Sequence, residues 1–326
     1  MLGRIQFILA RTNITILNIP NYFCSYYLYG LNKMAKIKYV FSPRYQEYNF
    51  TPFLIFSIGN QIVVIDNDDP RIVDTQLYEA CTFYFCSNKL IAKTSYQQIK
   101  VRPLYPHYPI NIIPLYLRLF NLKTLISSRF TKELYILSRR PRYKNKKVRH
   151  TYDNYVFFSC SNWKNEQEAN AIRAAFIETC KSHPAIKFEG GFTSRKNNNL
   201  NGIDTSLIVN KYHPKKFSKL IRQSMIGFNN PAVKGAMSWR LAEYLNNGTF
   251  ILSYPFKIEL PTALVHKEHI YYIKNTSCIK AVLNAVIDNR SHARQVGTNA
   301  KDYFERYCTP EAQANYILKT LSTAGI

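Results

Sequence analysis

Glycine is scarce in this sequence, 11 residues in 326, which excludes long flexible linkers and low-complexity tracts. Acidic residues are also few. The 20 Asp and Glu face 44 Lys and Arg, a formal net charge of +24. Such a field draws polyanions: nucleic acid, anionic lipid headgroups or phosphorylated small molecules. It does not choose among them, and it does not set the fold. Paired cysteine motifs are missing. The seven cysteines form no Cys-x-x-Cys pair, and no His joins Cys81 and Cys86 in a zinc set, so free thiols in a reducing compartment are expected. There is no run of about 18 uninterrupted apolar residues, so no membrane span is expected. The apolar run Ile5–Ala10 between Arg4 and Arg11 is too short for a secretory signal. A cytoplasmic protein is expected, peripheral at most at the inner face of a membrane.

What is present is a large apolar and aromatic fraction. Hydrophobic residues make up 46% and aromatics 14%, with 25 Tyr and 20 Phe, enough for real cores at a length that fits two domains. A basic segment divides the chain. Residues 139–150 hold seven Lys or Arg and no acid, which predicts a solvated connector. The expected domains are therefore residues 1–150, ending in that connector, and 151–326. The second half alternates apolar strand runs with helical stretches. Tyr155–Ser159 precedes a helix over 165–181, and Ile186–Glu189 follows the break at Pro184. Met225–Phe228, Thr249–Ser253 and His269–Ile273 continue the strand series. Helices are expected over 277–287 and 293–307, with a last one capped by Thr309 and opened by Pro310. This alternation predicts a parallel sheet covered on both faces, with ligands at the carboxyl ends of its strands. The first half reads as less regular α/β, with strands at Ile5–Leu9, Thr15–Ile19, Phe53–Ile58 and Gln61–Ile65; Leu77–Phe85 fits either period.

The most informative stretch runs from Phe228 to Ser253. It reads strand, loop, helix, a stop at Asn247-Gly248, and strand. Its loop delivers a helix start to the edge of the sheet, where free backbone N–H groups and the helix dipole suit a diphosphate. Arg240 and Glu243 are three apart on that helix and so lie close on its surface. A guanidinium at the phosphates and a carboxylate on the ribose hydroxyls would read a nucleoside diphosphate along its length.

This segment resembles the donor-binding signature of GT-B glycosyltransferases, especially exostosin-like and group-1-like families. Ser238, Arg240 and Glu243 fill a Ser-x-Arg-x-x-Glu pattern, and Asn247-Gly248 with Thr249–Ser253 supply the helix end and strand. The tail, with Leu260–Ile273 and Val296–Leu318, follows the same order of elements. The resemblance covers about residues 152–320 and implies two Rossmann-like lobes facing each other across a cleft. It implies a nucleotide sugar as donor substrate, no cofactor, and donor contacts from Ser238, Arg240 and Glu243. Lys164 after the first strand of that half and Arg195 beyond Glu189–Phe192 are further candidates for the phosphates.

One position departs from the pattern. Many retaining members carry a second Glu eight residues before the ribose-binding one, and position 235 is Gly. The stereochemical outcome is left open, and an inverting enzyme needs a general base. Asp69, just after a strand in Asp66-Asn-Asp-Asp-Pro70, is the candidate; a turn or helix-cap role is the competing reading. Asp66-Asn-Asp68 also fits the letters of a metal-binding Asp-x-Asp, but the parallel second half opposes the fold that uses it, and no metal is expected.

Three functions follow from these readings. The first is sugar transfer from a nucleotide sugar to a glycan or lipid-linked glycan in cell-surface polysaccharide synthesis, at an anionic membrane surface. The second is a basic nucleic-acid-binding protein; no recognisable nucleic-acid-binding motif supports it. The third is a catalytically degenerate, glycan-binding relative.

Overall fold

The computed structural model describes residues 13–120, 127–148, 154–193 and 202–323. The strand expected at Ile5–Leu9 and the polar loop at Asn197–Asn201 lie outside them. The chain forms two compact units. Unit 1 comprises residues 1–144, 258–262 and 306–326; unit 2 comprises 145–257 and 263–305.

Unit 1 is built on strands β1 (Asn13–Ile16), β2 (Lys36–Tyr39), β3 (Phe53–Ile58), β4 (Gln61–Asp66), β5 (Phe83–Cys86) and β6 (Val101–Pro103). They lie in the order β2-β1-β3-β4-β5-β6. β3 runs against both of its neighbours and the other pairs are parallel. The cause is local: only Gly59 and Asn60 separate β3 from β4, and so tight a turn permits only an antiparallel pair. This sheet is therefore mixed, with β3 the strand that runs against an otherwise parallel order. Buried Asn18 fixes the start of the hairpin. Its side chain donates to Tyr48 O and Phe53 O and accepts from Ile55 N at 2.8–3.0 Å.

The helices of unit 1 are α1 (Ser25–Met34), α2 (Thr75–Ala80), α3 (Ile113–Phe120) and α4 (Ser128–Ser138). The ambiguous stretch Leu77–Phe85 resolves into the end of α2 followed by β5. The last helix of the chain, Pro310–Ser322, also belongs to this unit rather than to a domain over 151–326. Thr309 caps it as expected, accepting from Ala312 N at 3.1 Å. It crosses α1 at Gly30, where a Cβ would stand 2.1 Å from Pro310 O. Fully buried Gln313 ties it further, donating to Tyr105 O and Pro106 O. An apolar helical stripe announces that a helix must be covered, but not by which sheet.

Unit 2 contains β7 (Tyr155–Ser161), α5 (Gln167–Ser182), β8 (Lys187–Thr193), β9 (Ile208–Val209), α6 (Pro214–Gln223), β10 (Ile226–Asn229) and α7 (Trp239–Asn247). It continues with β11 (Phe250–Ser253), β12 (Tyr271–Tyr272), α8 (Cys278–Asp288) and α9 (Arg290–Tyr303); the helix in unit 1 over 310–322 is thus α10. All of its strand pairs are parallel, in two ladders, β7-β8-β9 and β10-β11-β12. The ladders join along β7 and β10. Met225 N donates to Tyr155 O at 2.8 Å, and the Ser224 hydroxyl accepts from Phe157 N while donating to Ile226 O. The full order is then β9-β8-β7-β10-β11-β12, third-second-first-fourth-fifth-sixth in chain order. This is the doubly wound dinucleotide-fold order, and it reverses between β7 and β10. Phe158, Phe176 and Phe228 fill the core under that junction, with Phe176 and Phe228 stacked at 4.1 Å.

Gly190 and Gly191 lie inside β8 at φ +131° and +151°, which side-chain-bearing residues rarely adopt. One local expectation changes here. The second part of the basic segment is not a solvated connector. Buried Lys301 donates to the side chains of Asn145 and Asn246, and Lys146 N donates to Asn246 Oδ1 at 3.2 Å, so residues 145–148 pack onto unit 2. Lysine stems cover apolar surface while their charges find oxygen partners, which charge counting cannot register.

Gly227 in β10 sets how closely α7 approaches the sheet. A Cβ there would lie 2.6 Å from Cγ of Tyr244, whose ring is wholly buried. Gly227→Ala is expected to cost about 2 kcal/mol of unfolding free energy through overpacking. Denaturant titration measures this, and a loss below about 0.5 kcal/mol would show that α7 shifts freely.

Candidate functional site

The carboxyl ends of β7 and β10 diverge where the sheet reverses direction, and the loops leaving them run to opposite faces. After β7, residues 162–166 lead into α5. Buried Asn170 grips this loop: it accepts from Trp163 N at 3.2 Å and donates to Trp163 O and Asn162 Oδ1 at 2.7 and 2.9 Å. β10 ends in buried Asn229, and buried Asn230 follows, then a turn in which Lys234 takes the left-handed φ of +53°. The Glu166 carboxylate accepts from Lys234 N at 2.7 Å and holds the two loops together. Ser238 stands at the N-cap of α7, although its hydroxyl makes no cap bond.

Two guanidinium groups meet at this edge. Arg173 of α5 is 1% exposed, donates from Nη1 to Ser161 O and from Nε to Asn230 Oδ1, both at 3.1 Å. Arg240 of α7 donates from Nη1 to Ser159 O at 2.8 Å, with its guanidinium carbon 4.9 Å from the centre of the Phe158 ring. Its Nε is buried and has no partner, and neither is there one for Oδ1 of Asn229. Among the described residues, neither arginine makes an ion pair. Burial, and then the Arg240 charge, pull Arg173 down to about 10, so it stays protonated at neutral pH. Cys160 lies beside them, but burial lifts its thiol to about 11 despite both cations. It is a neutral filler, not a nucleophile.

Cations withdrawn from water without an ion-pair partner are costly, and proteins keep them where an anion arrives. Two forked guanidiniums, the amino end of α7 and the amides of two loops can hold a diphosphate by charge-assisted hydrogen bonds. Among the described residues, no group of three His, Cys, Asp or Glu is placed to hold a metal ion. No helix among them is long and apolar enough to cross a membrane, and all seven thiols are free.

The residues singled out from the sequence distribute unevenly. Ser238 and Arg240 stand at this edge. Glu243 is half-buried one turn further along α7, and its charge supports the Lys146 ammonium, which burial pushes to lower pKa. Lys164 is exposed in the turn after β7. Arg195 lies outside the described residues. Asp69 belongs to unit 1 and is exposed, its N–H donating to Asp68 Oδ1 at 2.9 Å. The buried carboxyl of that run is Asp66, 4% exposed, which accepts from the Tyr84 hydroxyl at 2.7 Å and from Asp68 N at 3.0 Å. Burial raises it to about 7.

Arg173 was not identified from the sequence. The available signal was its register: Ala169, Arg173, Phe176, Ile177 and Cys180 form one buried stripe on α5, and Arg173 is its single charge. The asparagines gave no comparable sign, because their type suits turns equally well.

No known family matches the chain, and no curated protein does. Solved structures are similar to it at low identity. TarM is 14% identical over 56% of this chain and 38% of its own, with a TM-score of 0.41. Anabaena Alr3699/HepE, solved in complex with UDP-glucose, is 10% identical over 76% of this chain and 65% of its own, with a TM-score of 0.43. A protein from Listeria monocytogenes described as a candidate UDP-N-acetylglucosamine 2-epimerase is 10% identical over 97% of this chain and 96% of its own, with a TM-score of 0.40. The chain thus spans well under half the length of TarM. All three TM-scores lie below 0.5, and the chemistry is read from this chain's own residues. Fold and site together define an α/β protein with a doubly wound second unit and two arginines at its strand-order switch.

Proposed function

We propose that this chain is a GT-B-type glycosyltransferase that takes its donor, a nucleotide sugar, into the switch-point crevice of unit 2. One observation carries the reading: Arg173 and Arg240 converge at the ends of β7 and β10, and among the described residues no carboxylate lies in ion-pair contact with either, Glu166 acting on Arg173 only at longer range. In this reading the two guanidiniums neutralise the diphosphate. They also stabilise the negative charge that grows on it as the bond to the sugar breaks. Asn229, through its partnerless Oδ1, accepts a hydrogen bond from a donor hydroxyl. Glu243 takes the ribose hydroxyls, with Lys164 and Arg195 as further phosphate contacts. The acceptor is a glycan or lipid-linked glycan, and holding both substrates lowers the entropic barrier to transfer. Asp69, exposed and ordered by its neighbour, remains the candidate base.

A panel of nucleoside diphosphates and their sugars tests this by thermal unfolding. At about 100 times Kd, the matching nucleotide should add about 2.7 kcal/mol of stability, several degrees in Tm. Incubating the matching donor with glycan acceptors should then release the free nucleoside diphosphate. A flat response to every nucleotide would end the proposal.

A further inference from the structure

We propose that the outer edge of the unit 1 sheet, β2 and the turn after it, docks on an anionic lipid bilayer. Among the described residues, β2 is the edge strand of its sheet. Its alternation turns Lys36, Lys38 and Val40 outward and leaves Ile37 and Tyr39 half-buried. On the inner side, Tyr39 packs edge-on against Phe120 of α3 at 5.2 Å. Val40 and Phe41, just beyond the strand, are 45% and 57% exposed. Exposed Lys33 at the end of α1 and exposed Arg44 after the turn flank them. Exposed Arg118 of α3, the helix whose Phe120 meets Tyr39, donates to the side chain of Asn32, and its chain neighbour Leu117 is 37% exposed. Residues 25–46 hold four cations and no acid, and 113–120 hold Arg118 and no acid.

Lysines on an edge strand deter strand addition. That role asks for no exposed phenylalanine and valine between the charges. Cations ringed about an apolar tip match a surface whose headgroups are anionic and whose interior is apolar, with attraction adding up per lysine or arginine. Nucleic acid satisfies the cations and stacks on Phe41, but offers nothing to Val40 or Leu117. The bilayer fits every member of the patch. This inference stands apart from the transfer chemistry, since it uses no residue of the unit 2 crevice.

The test is cosedimentation of the full chain with vesicles at about 0.15 M salt, where surface charges act over about 8 Å. Vesicles of equal phosphatidylglycerol and phosphatidylcholine should bind it at least about tenfold more tightly than phosphatidylcholine alone. The pair Lys36→Gln and Lys38→Gln should weaken binding about 30-fold, and Phe41→Ser about tenfold. Nucleotide affinity should not move in any of them. Equal binding to both vesicle types, or variants that bind like the parent, would overturn the proposal. So would Phe41→Ser lowering the unfolding temperature with lipid binding unchanged, because the face would then be covered by protein. An oligonucleotide held more tightly than the vesicles, and lost in the same variants, would assign the face to nucleic acid instead.

Discussion

Arg240→Ala should weaken nucleoside-diphosphate binding at least about 100-fold. Each charge-assisted hydrogen bond to a phosphate is worth roughly 1.5–3 kcal/mol, and the guanidinium fork can supply two. Its buried Nε has no partner among the described residues, so the guanidinium carries a donor that the protein itself does not use. Removing the side chain should leave the fold standing. Arg240 gives up one bond to Ser159 O, and the repulsion it exerts on Arg173 disappears. Arg240→Lys should recover only part of the affinity, since an ammonium offers a point charge and no fork. Calorimetric titration of the matching nucleotide, with thermal unfolding as the control for folding, gives the answer. A variant that binds within twofold of the parent would remove Arg240 from the site. Glu243 is a poorer probe. Its replacement would also strip the counter-charge from half-buried Lys146, so lost binding and lost stability would be mixed.

The second large effect is on stability against pH. Asp66 is raised from an ordinary 3.8 to about 7, chiefly by burial; the bonds from Asp68 N and Tyr84 oppose the shift, and the charges of Asp68 and Asp74 add to it. The folded state therefore holds this proton more tightly than the unfolded chain. Between about pH 4 and pH 7 the native protein binds more protons, so stability falls as pH rises, then stays level above 7. The full penalty is on the order of 4 kcal/mol. Asp66→Asn keeps an acceptor for Asp68 N and carries no charge. The stability difference between variant and parent should therefore grow in the variant's favour from pH 4 to pH 7. Taking the difference cancels other titrations, including that of His107, which burial holds neutral down to about 3. Chemical denaturation at several pH values would show it, and parallel curves for the two proteins would mean that Asp66 is charged in the fold at little cost.

Much of unit 2 was legible in the linear order of residues. Periodicity located its main helices and strands, Asn247-Gly248 marked the end of α7 with Gly248 at φ +65°, and Arg240 was singled out from its spacing. These signals are local, and local backbone preference expresses them directly. The acidic run of unit 1 was less legible. Asp66, Asp68 and Asp69 are the same residue type within four positions. What separates a buried carboxyl near pH 7 from an exposed one is which strand lies alongside, here β5 with Tyr84.

The sequence by itself determined the α/β class, the parallel second half and the excess of positive charge, because composition and period are properties of neighbours along the chain. Only the tertiary structure decided that α10 returns to unit 1, that β3 runs against its sheet, and that residues 145–148 pack onto unit 2. It also brought Arg173 to Arg240 from 67 positions away. Each of these depends on contacts between segments distant in sequence, where packing against a specific surface outweighs any preference the segment has alone.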